Sequence, residues 1–182
     1  MLFSMKNYLF LFSAFLAANL PCVTTAQTKS DAPPTDPQIA MIAVTADTVD
    51  IDAGKLAAEK SSNPKVKEFA QMMVRDHTSV NKKATALANK LNLTPEESDT
   101  SRSLKSDGDK NLEKLRGLNG AEFDKAYIDN EVAYHESVIN AVTNTLIPNT
   151  KNAELKKLLQ SAGPSQQRLS SAYGNVTNRR YL

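Results

Sequence analysis

The sequence holds a single cysteine, Cys22, among 182 residues. One thiol cannot close an internal disulfide, and Cys22 falls inside a segment that reads as a removable leader, so neither disulfides nor thiolate chemistry is expected in the mature chain. A surplus of one charge sign is missing too. The 22 lysines and arginines and 20 aspartates and glutamates leave a net charge of +2, with acids and bases interspersed, and this argues against nucleic acid as a partner. The apolar run in the leader falls short of the roughly 20 unbroken residues that a membrane span requires. No Ser-His-Asp order, phosphate-cradling glycine loop or paired CxxC is present, so the residues offer no support for an enzyme acting on small molecules. Alternating β-branched and polar runs bounded by hairpin turns are lacking as well, which excludes a sheet-based fold.

What is present begins with Lys6, followed by the apolar stretch Leu9 to Ala18 and the small-residue run Val23-Thr24-Thr25-Ala26. This order is that of a secretory signal peptide over residues 1–26, cleaved after Ala26, and Ser13, Asn19 and Pro21 interrupt it as a membrane anchor. Pro21 also disfavours processing to a lipid anchor on Cys22. Loss of the leader removes one lysine and lowers the net charge to +1. The expected destination is the periplasm or another exported location, with outer-membrane association open. Residues 27–35, carrying Pro33-Pro34, read as a flexible linker, residues 36–178 as one helical domain, and residues 179–182 as a tail.

The domain is built from three-four apolar spacings. Asp36-Pro37 predicts a capped start for helix 1, whose stripe is Ile39, Ile42, Ala46, Val49, Ala53 and Leu56. Asn63-Pro64 opens helix 2, with Val66, Ala70, Met73, His77, Val80, Ala84, Leu87 and Leu91. After Thr94-Pro95-Glu96-Glu97 the chain is serine-rich and contains Gly108, which predicts a shorter, partly irregular helix. Asn119 with Glu122 has cap spacing, and Ile128, Val132, His135, Ile139, Val142 and Leu146 define the next long helix, up to Pro148. A last helix is expected from Lys151 to about Asn178, kinked at Gly163-Pro164. The predicted fold is therefore all-α: a four-helix bundle with near-antiparallel neighbours and a short extra helix between the second and third long helices.

The only two histidines, His77 and His135, both occupy seam positions where the spacing calls for an apolar residue. Acids accompany them: Glu131 one turn before His135, Asp76 beside His77, and Asp50 midway along helix 1. Two readings stay open. One is a metal or redox site built from Asp50, His77, Glu131 and His135, which would neutralise charge that burial penalises. The other is a hydrogen-bonded polar layer that fixes helix register. The i to i+4 spacing of Glu131 and His135 departs from the Glu-x-x-His spacing of di-iron bundles. Met73 is expected in the core, and Tyr127 and Tyr134 are expected to pack with Phe69 and Phe123.

The strings Gly54 to Lys60, Val66 to Thr78 with its Met-Val-Arg-Asp-His-Thr block, and Phe123 to Tyr127 with His135 resemble the exported bacterial family called domain of unknown function 4142. The resemblance extends from about Ile39 to Val176 and implies a ferritin-like helical bundle, often labelled an outer-membrane protein, with no established activity. It implies an acid in helix 1, where Asp50 stands, the pair Asp76-His77, the histidine His135, and a further histidine in the last helix. Arg168 occupies that last position. A guanidinium cannot ligate a cation but can pair with buried acids, so Arg168 is expected to bridge Asp50 or Glu131 in the core and to leave metal binding weak or absent, with Asp76 as a further core polar partner. Two functions follow: a non-enzymatic envelope or stress-related bundle that acts on envelope proteins or on itself, and a ferritin-like protein that binds a transition metal ion.

Overall fold

The computed structural model describes residues 32–161. Four long helices succeed one another, α1 (Asp36–Lys60), α2 (Pro64–Lys90), α3 (Asp99–Gly117) and α4 (Gly120–Ala141). The last of these continues through a π-helical turn (Val142–Leu146) into the short α5 (Ile147–Asn149), and α6 occupies residues 153–161. No strand occurs among the described residues, and the fold is an all-α bundle. The leader, residues 27–31 of the linker, the Gly163-Pro164 kink, Arg168 and the tail lie outside the described residues.

Local chemistry sets most helix ends. Thr35, rather than Asp36, caps α1 in a reciprocal box with Gln38, ahead of Pro37 in the first turn. Asn63 accepts from the Lys65 N–H and precedes Pro64, as its sequence predicts. Asn119 makes no side-chain cap, although its spacing suggested one. The largest departure is α3, which is regular over 19 residues and is capped by Ser98 in a box with Ser101. Gly108 does not break it. A Cβ at Gly108 would lie 2.7 Å from Val49 Cγ2, so this glycine lets α3 lie close against α1.

α1 is the central element and packs on α2, α3 and α4. It runs antiparallel to α2 across the tight turn at Ser61 to Asn63. With α3 it runs in the same direction: the Glu96 N–H donates to the Pro37 carbonyl at one end, and Lys60 Nζ donates to the Arg116 carbonyl at the other. The interior separates into two apolar clusters. At the C-terminal end of α1, Ala53, Ala57, Phe69, Met73, Phe123 and Tyr127 pack together; at its N-terminal end, Ile39 and Ile42 meet Leu146, Leu155 and Leu159. Met73 is a core residue as expected, and Tyr127 stacks on Phe123 and meets Phe69 edge-on. Between the clusters lies a layer of buried charge.

Candidate metal centre

Three elements supply that layer. Asp47 and Asp50 stand one turn apart on α1, His77 comes from α2, and Glu131 and His135 come from one face of α4. Asp50 and Glu131 are each 1 % exposed, and both histidines are 7 % exposed. Charge placed this deep in a bundle costs several kcal/mol, on the order of that for any buried ion, unless every group is matched.

The matching is specific. His77 Nδ1 donates to Asp47 Oδ1 at 2.7 Å, while its Nε2 lies 2.6 Å from Asp50 Oδ2. Burial alone would lower the His77 pKa, but the Asp47 hydrogen bond and the negative charge of Asp50 and Asp47 at close range overcome it and raise it to about 10, so the ring is an imidazolium. His135 Nδ1 lies 2.8 Å from the Glu131 backbone carbonyl. A carbonyl only accepts, so Nδ1 carries a hydrogen and Nε2 turns toward the layer, 3.4 Å from His77 Nε2 and 3.3 Å from Asp50 Oδ2. Burial would also raise Asp50, yet His135 and His77 hold it well below the usual carboxylate range. Glu131 has the opposite environment. Burial, reinforced by the negative charge of Asp50, keeps its carboxyl protonated far above the ordinary range.

Even so, not every polar atom is satisfied. Both Asp50 oxygens, Glu131 Oε2 and Tyr127 Oη are buried without an aligned hydrogen-bond partner. The short approach of His77 to Asp50 is an ion contact rather than an aligned bond. Ligand atoms of Asp50, His77 and His135 lie within 4.8 Å of one another. Tetrahedral bonds of about 2.0–2.1 Å separate donor atoms by roughly 3.3–3.5 Å. Both contacts of His135 Nε2 fall in that range, and only the His77–Asp50 approach would have to open. The donor set, two imidazoles and a carboxylate, suits a borderline divalent ion.

Residues 22–172 match the model of the family described as Domain of unknown function (DUF4142). The chain belongs to this family. A solved structure of CopM in its Cu(II)-bound form resembles this DUF4142 chain with a TM-score of 0.62 at 20% identity, over 81% of this chain and 100% of that one, which establishes a shared fold. Among curated proteins, none matches the sequence.

Asp50, His77, Glu131 and His135, singled out from the sequence, thus converge in one layer of this DUF4142 domain. Asp76 does not join them. Its side chain is 46% exposed and pairs with Arg75, because a residue adjacent to a seam position points about 100° away from the seam. The acid on His77 is Asp47, which sequence reasoning missed. Its signal was the three-residue step to Asp50, which places both carboxylates on one face of α1. Tyr134 does not pack with the phenylalanines; it donates to the Ala46 carbonyl at 2.9 Å and meets His135 edge-on.

Proposed function

We propose that this protein holds one transition-metal ion in the middle of its bundle, bound by His77 Nε2, His135 Nε2 and the Asp50 carboxylate. The observation that carries the reading is the convergence of the two Nε2 atoms, 3.4 Å apart, on a buried carboxylate that lacks aligned donors. Each imidazole is also held from behind, His77 by Asp47 and His135 by the Glu131 carbonyl, an arrangement that fixes tautomer and ring orientation in metal-ligating histidines. Glu131 stays outside the converging donors: its Oε2 lies 3.9 Å from His135 Nδ1, the ring nitrogen turned away from the ion. The ion takes the place of the His77 Nε2 proton, so binding releases at least one proton and tightens as pH rises toward 10. Affinity for divalent ions in such a site follows the order in which Cu²⁺ exceeds Zn²⁺, and the Cu(II) bound by the structural neighbour is in keeping with that class.

The protein is read as an exported, non-enzymatic bundle. The pattern of Met1 to Ala26 supports export, and among the described residues no helix is long and apolar enough to cross a membrane. Envelope proteins or further copies of the chain are the partners that this location implies. A second reading keeps the layer metal-free: imidazolium His77 is already paired with Asp47 and Asp50, and the layer then serves helix register alone.

One experiment separates the two. The purified protein is dialysed after exposure to Cu²⁺, Zn²⁺ or Fe²⁺, its metal content is measured, and thermal melts are recorded at rising metal concentration. About one retained equivalent is expected, with stabilisation near 2.7 kcal/mol at a hundredfold excess over Kd. His135→Leu abolishes both. An absence of retained metal together with unchanged melts would reject the metal reading in favour of the polar layer.

A further inference from the structure

Where α3 turns into α4 the chain places Asn119 before Gly120, an asparagine–glycine pair that occurs nowhere else in its 182 residues. The glycine is required by its backbone. Gly120 has φ +55, a left-handed conformation that other side chains resist, whereas a Cβ on it would meet nothing within 4 Å. Asn119 is exposed and extended, with φ −142 and ψ 160, and its side chain makes no cap bond to α4. The first N–H groups of a helix have no partner inside it, so the Gly120 N–H is not held by the α4 ladder. An uncommitted side-chain amide and an unheld N–H thus adjoin, with no side chain on residue 120 to keep them apart.

We propose that Asn119 is a site of spontaneous modification, at which the Gly120 nitrogen attacks Asn119 Cγ and closes a succinimide that water reopens to isoaspartate or aspartate. The bond from nitrogen to Cγ forms as the Cγ–Nδ2 bond breaks, and the amide nitrogen leaves as ammonia with the proton of the Gly120 N–H. Water then adds to either ring carbonyl, and the ring nitrogen regains a proton. Opening at Cγ leaves aspartate. Opening at the backbone carbonyl sends the chain through Cβ and Cγ and turns that carbonyl into a free carboxylate.

The two products act differently on α4. The Asn119 carbonyl accepts from the Phe123 N–H at 3.3 Å, the first bond of the helix, and Phe123 is wholly buried. Aspartate keeps that carbonyl and adds a carboxylate at the cap, where the helix dipole favours negative charge. Isoaspartate gives up the carbonyl and inserts a methylene ahead of Phe123. Asp107-Gly108 provides an internal control, since an aspartate before a glycine closes the same ring. There the glycine is buried in the middle of α3 with its N–H tied into the ladder, so closure would require the helix to open.

The test holds the purified full chain at pH 6 and at pH 8 and 37 °C for several weeks and follows it by ion exchange and peptide mapping. One added negative charge is expected at Asn119, as isoaspartate in excess over aspartate, and faster at pH 8 because the attacking nitrogen must shed its proton. Asp107 should stay unchanged, and Asn119→Gln should remove the conversion, because its longer side chain closes a ring poorly. The separated isoaspartate form should melt a few degrees below the parent, and Asn119→Asp should not. An intact Asn119 after this treatment, conversion at Asp107 at an equal rate, or an isoaspartate form that melts with the parent would each overturn the proposal.

Discussion

The two ends of the bundle are made from similar helices yet packed differently. At the C-terminal end of α1, Phe123, Tyr127, Met73 and Ala57 are wholly buried, and a Cβ on Gly54 would sit 3.0 Å from Val74 Cγ2. At the N-terminal end the same seams, among the described residues, diverge around a cavity of about 540 Å³. The histidine layer lies at the boundary. The proposed ligand set would need rigid support on one side and access on the other, and the packing is consistent with both: the dense half fixes the helices that carry Asp50, His77 and His135, while Asp47 and Tyr134 border the cavity.

The sharpest way to break this comparison is to truncate side chains at both ends. Phe123→Ala in the dense cluster should cost about 3–5 kcal/mol, the usual penalty for emptying a well-packed aromatic site. Leu158→Ala, on the half-buried wall of the cavity, should cost about 1 kcal/mol or less, since space already adjoins it. Urea unfolding measures both, and equal losses would show the two halves to be packed alike.

The next effect concerns the boundary itself. His77→Leu leaves Asp47 and Asp50 buried side by side without their cation, and near pH 6 this should cost roughly 3 kcal/mol or more. The pH dependence follows from the shifts. The His77 pKa rises from 6.5 to about 10 on folding, so its contribution is complete below pH 6.5, declines above that, and is gone beyond about 10. On the acid side the Asp50 contribution, held by a lowered pKa, is present above its ordinary 3.8 and is lost as pH falls below it. Asp47, raised mainly by burial, takes up a proton earlier and relieves the variant. Denaturation of both proteins from pH 4 to 10.5 should therefore show a stability gap that is widest near pH 6 and narrows in both directions. A gap independent of pH would mean that the ring acts by volume alone.

Much of this division was written in the spacing of residues. The stripe of α2 predicted from Val66 to Leu91 is a single seam, and its first half is buried core while Val80, Ala84 and Leu87 face the cavity. Periodicity reports which side of a helix turns inward, not whether anything fills the space it faces, so the seam was legible and the hollow was not. His77 and His135 were legible because a histidine in an apolar stripe stands out, and Asp50 and Glu131 because they are acids close to those stripes, Glu131 one turn before His135. Asp47 flanks the α1 stripe just as Asp50 does, and periodicity gives no reason to choose one over the other. α3 misled for a related reason: serine and glycine lower intrinsic helix propensity, but Gly108 against Val49 gains a close helix contact that propensity does not register.

The smallest expected effect tests how the hollow end is closed. Asp36, expected to cap α1, instead accepts from the backbone N–H groups of Lys151 and Asn152 at 2.9 and 2.8 Å, and so fastens the start of α6 to the start of α1. Two charge-assisted bonds at a partly exposed site are together worth about 1–2 kcal/mol, while the cap of α1 itself rests on Thr35 and stays intact. Asp36→Ala should therefore lower global stability by about 1 kcal/mol. Its clearer signature is local: amide exchange should quicken in residues 153–161, whose Leu155 and Leu159 floor the cavity, and should be unchanged around Phe123. Uniform quickening across both ends would mean that they open as one unit, and that the contrast between them is one of shape without a difference in local stability.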